Sequence, residues 1–220
     1  MQFRIKENLS NIQEEIAPYN PNIIAVTKYF DEVAIEEAYQ VGMRDFAESR
    51  AIEAIEKIKR LPKEIQDNST FHFIGHLQSN KVKKVVENFD IIHSIDTLKL
   101  AGLVSEAAKS AGKIQRVLLQ MNTAGEIQKT GFSKNELFEV FPEILKLEGV
   151  KVEGLMSMTP LGSSEDVLRM LFKEVAKTKT ELEERYGCKM KELSMGMSQD
   201  YVIAAQEGAT MLRIGRKLFG

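Results

Sequence analysis

The feature that most constrains this chain is an alternation. Eight short runs rich in β-branched and aromatic residues, at 22–28, 44–48, 70–76, 91–96, 116–122, 150–158, 192–195 and 211–215, are separated by stretches whose apolar residues recur at helical spacing. Those stretches include 33–41, 52–61, 81–87, 98–110 and 166–186, the last with Leu168, Leu171, Phe172, Val175 and Leu182 along one stripe. Strands that alternate with helices pair in parallel through right-handed crossovers. Eight such units close into a (β/α)₈ barrel. The competing fold, an open doubly wound sheet, needs a glycine-rich turn after its first strand. Here that turn reads Val26-Thr27-Lys28-Tyr29-Phe30, with no glycine.

The pattern predicts one domain over residues 1–220. An extra amphipathic helix, with Ile5, Leu9, Ile12 and Ile16 on one face, precedes the first strand. Gly220 follows the eighth run by only a few residues, so this first helix is expected to cover the flank a full last helix would occupy. Ser163 and Asp166 form a capping pair for the longest helix, and Gly187 ends it. Pro142 predicts a kink or break near Phe141.

Composition removes several function classes. A net charge of −2 gives no electrostatic reason to bind nucleic acid or an anionic membrane. The basic run Lys81-Val82-Lys83-Lys84 reads as a solvated helix face. Cys188 is the single cysteine, which excludes an internal disulfide and fits a reducing compartment. The N-terminus lacks an apolar signal core, and no run is long enough to span a bilayer. A cytoplasmic protein is expected. With no long apolar helix stripe left over, so is a monomer.

In a barrel of this kind, functional groups gather at the C-terminal ends of the strands. Lys28 closes the first run, where desolvation favours a neutral amine able to form a Schiff base; its plainer reading is a strand-end lysine reaching for solvent. Strand seven ends Leu193-Ser194-Met195-Gly196-Met197-Ser198 before a helix from Asp200, and strand eight ends Arg213-Ile214-Gly215-Arg216. Glycine-freed N–H groups, the hydroxyls of Ser194 and Ser198 and a helix N-terminus suit a phosphate dianion. Taken singly, each loop is an ordinary tight turn. Arg213, inside strand eight, needs a partner: either a carboxylate such as Glu48, or a heteroaromatic nitrogen that accepts from it.

Those residues, with Phe46-Ala47-Glu48-Ser49, the stretch from His72 to Lys81 and Gly154-Leu155-Met156, resemble the YggS/PROSC family of pyridoxal 5′-phosphate (PLP)-binding, PLP-homeostasis proteins, and its cyanobacterial members most of all. The resemblance runs nearly end to end. It implies a barrel like the N-terminal domain of alanine racemase, with PLP as cofactor and Lys28 as its aldimine lysine. It implies a phosphate site from Ser194, Ser198, Gly215 and neighbouring backbone (Met195 and Arg216 among it), and Arg213 at the pyridine nitrogen. It also implies a role in vitamin B6 and amino-acid homeostasis, with PLP-dependent apoenzymes as recipients. One departure is visible. Many members have Gly-Glu-Asn-Tyr where this chain has Ala47-Glu48-Ser49-Arg50, so Ser49 offers one hydroxyl in place of an amide.

Three functional classes compete. A PLP-dependent racemase or lyase needs a second acid/base on the opposite face of the cofactor. In the racemase a partner subunit and a β-domain supply it, leaving Tyr29 and Tyr201 as the substitutes here. An arginine at the pyridine nitrogen makes the ring a poorer electron sink, which favours a binding protein without turnover over an enzyme. A Schiff-base aldolase would use the same lysine and phosphate loops but has no use for Arg213. His72 and His76 are four apart, yet on a β-run they stand too far apart to chelate one ion. His76, at the strand end, is expected to hydrogen-bond near the mouth. Glu126 and Lys129 read as a polar loop, with Lys129 as a second amine for cofactor capture or release.

Overall fold

The computed structural model describes residues 4–123 and 130–220. Its strands are β1 (Asn22–Val26), β2 (Asp45–Glu48), β3 (Thr70–Phe73), β4 (Ile91–Ile95), β5 (Gln115–Met121), β6 (Val150–Ser157), β7 (Glu192–Met197) and β8 (Met211–Ile214). They form a closed barrel in chain order. Closure comes from parallel pairing of β1 with β8, which sets Ile24 opposite Arg213. The helices are α1 (Ile5–Ile16), α2 (Glu32–Gln40), α3 (Ala51–Arg60), α4 (Lys63–Asp67), α5 (Val82–Asn88), α6 (Leu98–Ser110), α7 (Lys134–Leu145), α8 (Glu165–Tyr186), α9 (Tyr201–Gln206) and α10 (Arg216–Phe219).

Successive residues of a strand face opposite sides, and here the two sides have different jobs. Ile24, Val26, Ala47, Ile91, Leu118, Met156 and Met211 make a small apolar cluster inside the barrel. Their neighbours, such as Phe46, Phe73, Ile92, Leu119 and Leu212, join the larger core shared with the helices. Burying both faces accounts for the dense β-branched runs that mark the strands in the sequence.

The flank beside β8 is followed only by the short α10. As expected, α1 covers it: Ile5, Ile12 and Ile16 are buried, and the Asn8 amide donates to the carbonyls of Leu218 (2.9 Å) and Gly220 (3.2 Å).

Two local expectations need correction. Pro142 does not break its helix, for α7 runs unbroken from Lys134 to Leu145. A proline there deprives the Phe138 carbonyl of its helical donor, and the Tyr186 hydroxyl of α8 supplies one instead at 2.6 Å. At the start of α8 the capping position is Ser164, not Ser163, whose hydroxyl turns back to the Pro160 carbonyl at 2.9 Å. Gly187 does end α8, in the left-handed conformation with φ 64°.

Candidate functional site

The barrel mouth holds a cavity of about 730 Å³ at the C-terminal ends of the strands. Lys28, Ser49, Ser198, Arg213, Gly215 and Arg216 all line it, together with Tyr29, Met158, Leu161 and Asp200. Six of the nine residues expected at the site therefore meet on one surface.

Lys28 belongs to the turn after β1 rather than to the strand, which stops at Val26. The Phe30 N–H closes this turn on the Thr27 carbonyl at 2.9 Å, and Lys57 of α3 braces it, its ammonium donating to the carbonyls of Thr27 (2.8 Å) and Phe30 (2.7 Å) on either side of Lys28 and Tyr29. Lys57 also pairs with Glu48 at 2.5 Å, and Glu48 accepts from the Thr27 hydroxyl at 2.7 Å. Glu48 and Lys57 are both buried. Lys28 is left half-buried, with its amine 5.1 Å from the centre of the Tyr29 ring. Ser49 follows β2 and lies against Gly75, where a Cβ would come within 2.1 Å of the Ser49 carbonyl oxygen.

On the other side of the mouth, β7 carries an irregularity. Ser194 pairs with Met211 and Met197 with Arg213, so β7 fits three steps against two of β8. Gly196 makes this possible with φ +92°, and a Cβ there would sit 2.5 Å from that of Ala204. The bulge brings Ser198 to the cavity rim, where its hydroxyl accepts from the Lys217 N–H at 3.3 Å and joins the loops after β7 and β8. Asp200 locks this loop to the one after β6, accepting from the Met197 N–H and the Thr159 hydroxyl, each at 2.6 Å.

Arg213 is buried and directed inward from β8. It donates to the Ser194 hydroxyl at 2.6 Å and to the Ser157 carbonyl at 2.8 Å. Burial lowers its pKa to about 10, with the charge of Asp200 opposing the shift. At neutral pH it remains a cation. These two hydrogen bonds, the ones it donates among the described residues, leave a five-donor guanidinium with capacity for an acceptor in the cavity.

Three expected residues lie elsewhere. Ser194 is fully buried below the mouth, its hydroxyl engaged by Arg213 and, at 2.9 Å, by His93, so it does not face a phosphate in the cavity. The strand explains the error, since β7 continues to Met197, past the expected end at residue 195, and leaves Ser194 within the strand rather than at its end. Met195 points the other way, into the core shared with the helices. His76 is exposed after β3, pairs with Asp96 after β4 at 3.3 Å and does not line the cavity. The expected alternative pair of Arg213 with Glu48 is also absent, because Glu48 faces α3 and Arg213 faces the barrel interior. Tyr201 bonds through its hydroxyl to Glu15 of α1, outside the cavity. Glu126 and Lys129 lie outside the described residues. Among the described residues no group of three or more side chains is arranged to hold a metal.

Sequence reasoning missed Lys57, His93 and Asp200. Lys57 had a signal: it falls within the apolar stripe of Ala54, Ile55 and Ile58, where an unpaired lysine does not belong.

The family model described as "Alanine racemase, N-terminal domain" matches residues 2–220. A pyridoxal phosphate homeostasis protein of Synechocystis is 42% identical over 203 residues, covering 92% of each chain. The solved structure of PipY from Synechococcus elongatus without PLP is 37% identical with a TM-score of 0.92, covering 99% of this chain and 100% of that one. The structure of PipY with PLP bound gives 36% and 0.88 at the same coverage.

Proposed function

The chain belongs to the alanine racemase N-terminal domain family and, within it, to the pyridoxal phosphate homeostasis proteins, and from that premise we propose that its mouth cavity binds PLP through Lys28. The observation that carries this reading is one convergence. An accessible amine, a buried guanidinium and the joined loops of Ser198 and Gly215–Arg216 line a single cavity.

Bound PLP supplies an aldehyde that condenses with a primary amine, a ring nitrogen that accepts a hydrogen bond, and a phosphate dianion. Lys28 offers the amine. Arg213 offers fixed donors at the cavity floor, and having no acceptor it leaves the ring nitrogen unprotonated. Ser198, the backbone about Gly215 and the charge of Arg216 suit the phosphate. Ser49 contributes one hydroxyl where many relatives have an amide.

We read the protein as a PLP-homeostasis carrier rather than a catalyst. Proton transfer on both faces of a substrate needs a second group opposite the amine. Tyr201 is committed to Glu15 and Asp200 to two loop donors, while Tyr29 is 73% exposed at the rim. An open mouth, with Leu161 83% exposed beside Tyr29, favours exchange with PLP-dependent apoenzymes. The same reading has the chain work as a cytoplasmic monomer; among the described residues no helix is long and apolar enough to cross a membrane.

Equilibrium dialysis tests the binding, and incubation with amino acids tests the role. The expected results are one PLP per chain and no racemisation or elimination above that of free PLP. Absence of binding would overturn the first claim, and robust turnover the second.

A further inference from the structure

Two of the chain's three histidines lie inside the barrel, and neither has a part in the site described so far. They belong to a continuous chain of hydrogen bonds. From Arg213 it passes to the Ser194 hydroxyl (2.6 Å), then to His93 Nδ1 (2.9 Å). His93 Nε2 meets His72 Nδ1 at 2.9 Å, and His72 Nε2 meets Asp45 Oδ1 at 2.9 Å. The chain crosses the barrel from β8 to β7, β4, β3 and β2. It ends at the N-terminal end of β2, where the Asp45 side chain is 23% exposed.

The two ends dictate its direction. Arginine only donates, and an ionised carboxylate only accepts. With both imidazoles neutral, His72 carries its proton on Nε2, facing Asp45, and presents a bare Nδ1. His93 must carry its proton on Nε2 to fill that acceptor, which leaves its Nδ1 to accept from Ser194. Every hydrogen bond therefore points from Arg213 toward Asp45.

Charges about the chain favour this one arrangement. Burial, with the fixed positive charges of Arg213 and Arg116, holds His93 well below the ordinary histidine range, so it is neutral. Burial works against the Asp45 carboxylate, but hydrogen bonds from His72 and Asn22 and the charge of Arg116 outweigh it and hold its pKa low. Arg116 is itself paired with Glu153 at 2.7 Å. Among the described residues Arg213 touches no carboxylate directly. Asp200 acts on it at a distance, and Asp45 closes the far end of its hydrogen-bonded chain.

We propose that Asp45, His72 and His93 are positioning residues for Arg213, holding its guanidinium in one orientation at the cavity floor through a one-way hydrogen-bond chain from the opposite end of the barrel. The inference rests on the reading of the cavity as a PLP site, and it deepens that reading. Without the carboxylate, nothing requires His72 to keep its proton on Nε2. Both imidazoles are then free to reverse, Ser194 is asked to accept from both neighbours, and Arg213 loses its fixed aim. Hydrogen-bonded chains polarise one another, so a change at the far end reaches the near one.

Asp45→Asn keeps the volume and removes the charge. Two readouts decide the matter. Nitrogen-15 NMR of the imidazoles in PLP-free protein should show both histidines as Nε2–H tautomers in the parent chain and a mixture in Asp45→Asn. PLP titration should show affinity weakened about tenfold and a changed pH profile of the cofactor's visible band, with the thermal midpoint little altered. Asp45→Glu, on a partly exposed floor, should restore both. Should Asp45→Asn fail to fold, Ser194→Ala breaks the same chain beside Arg213 and must reproduce the spectral change. A parent chain that binds no PLP removes the cofactor reading and with it any role of the chain toward a cofactor. A parent that binds PLP while the variants match it in affinity and pH profile overturns the positioning proposal alone, as does an Nδ1–H tautomer at His93.

Discussion

Replacing Lys57 with methionine tests whether the turn that carries Lys28 is held from beneath. The lysine stem is buried in α3, and methionine retains most of that apolar contact. What disappears is an ammonium that satisfies the Thr27 and Phe30 carbonyls and neutralises Glu48. The Glu48 side chain is 3% exposed and would keep only the Thr27 hydroxyl as a partner. Breaking a buried ion pair from one side costs about 3–5 kcal/mol. At roughly 2–4 °C per kcal/mol for a chain of this size, the melting temperature should fall by ~6–20 °C. Adding Glu48→Gln removes the stranded charge while leaving an acceptor for Thr27. The double variant should then cost only about 1–2 kcal/mol, that of the two hydrogen bonds lost from Lys57, since the Thr27 carbonyl still accepts from the Phe30 N–H. Denaturant unfolding of the four proteins gives the coupling directly. Both Lys57 variants should bind PLP more weakly than stability alone explains, because the loop presenting the amine is loosened. A cost below about 1 kcal/mol for Lys57→Met, with no relief in the double variant, would refute this account of the turn.

Lys28→Ala should abolish the visible band of the covalent adduct yet retain weak PLP binding, since charge-assisted contacts at the phosphate loops, each worth about 1.5–3 kcal/mol, remain. Undiminished covalent attachment, found by mass spectrometry of the reduced protein, would point to another lysine, with Lys129 the first to examine. Tyr186→Phe should cost about 1–2 kcal/mol in denaturant unfolding, because the Phe138 carbonyl loses the donor that replaces the missing Pro142 N–H. In a Pro142→Ala background, where that N–H is restored, the same change should cost measurably less.

How far the sequence revealed the molecule depended on how local each signal was. The eight runs and the absence of glycine after the first strand led to the closed barrel, because period and turn chemistry are properties of neighbouring residues. Lys28, Ser198, Gly215 and Arg216 were legible because barrels bring strand ends to one face. Ser194 was misplaced because β7 runs on through Gly196 to Met197, a glycine that local pattern reads as the end of a strand. Glu48, offered as one of two alternative partners for Arg213, faces α3 instead, which following inward and outward faces along β2 and β8 would have shown. His93 went unnoticed because its partners come from β3 and β7, up to 101 positions away, a relation with no trace in local pattern. The break expected at Pro142 misled for the same reason, its compensation arriving from Tyr186, 48 residues beyond the carbonyl it rescues.

The central claim is that this cavity holds PLP on Lys28, and reductive trapping tests it most directly. Purified protein is loaded with PLP, its visible spectrum is recorded, borohydride is added, and the digested chain is mapped by mass spectrometry. The account predicts a yellow protein whose visible band disappears on reduction and whose fixed cofactor is found on the peptide containing Lys28. Protein that stays colourless after PLP is added, or a reduced adduct on a peptide without Lys28, would contradict it.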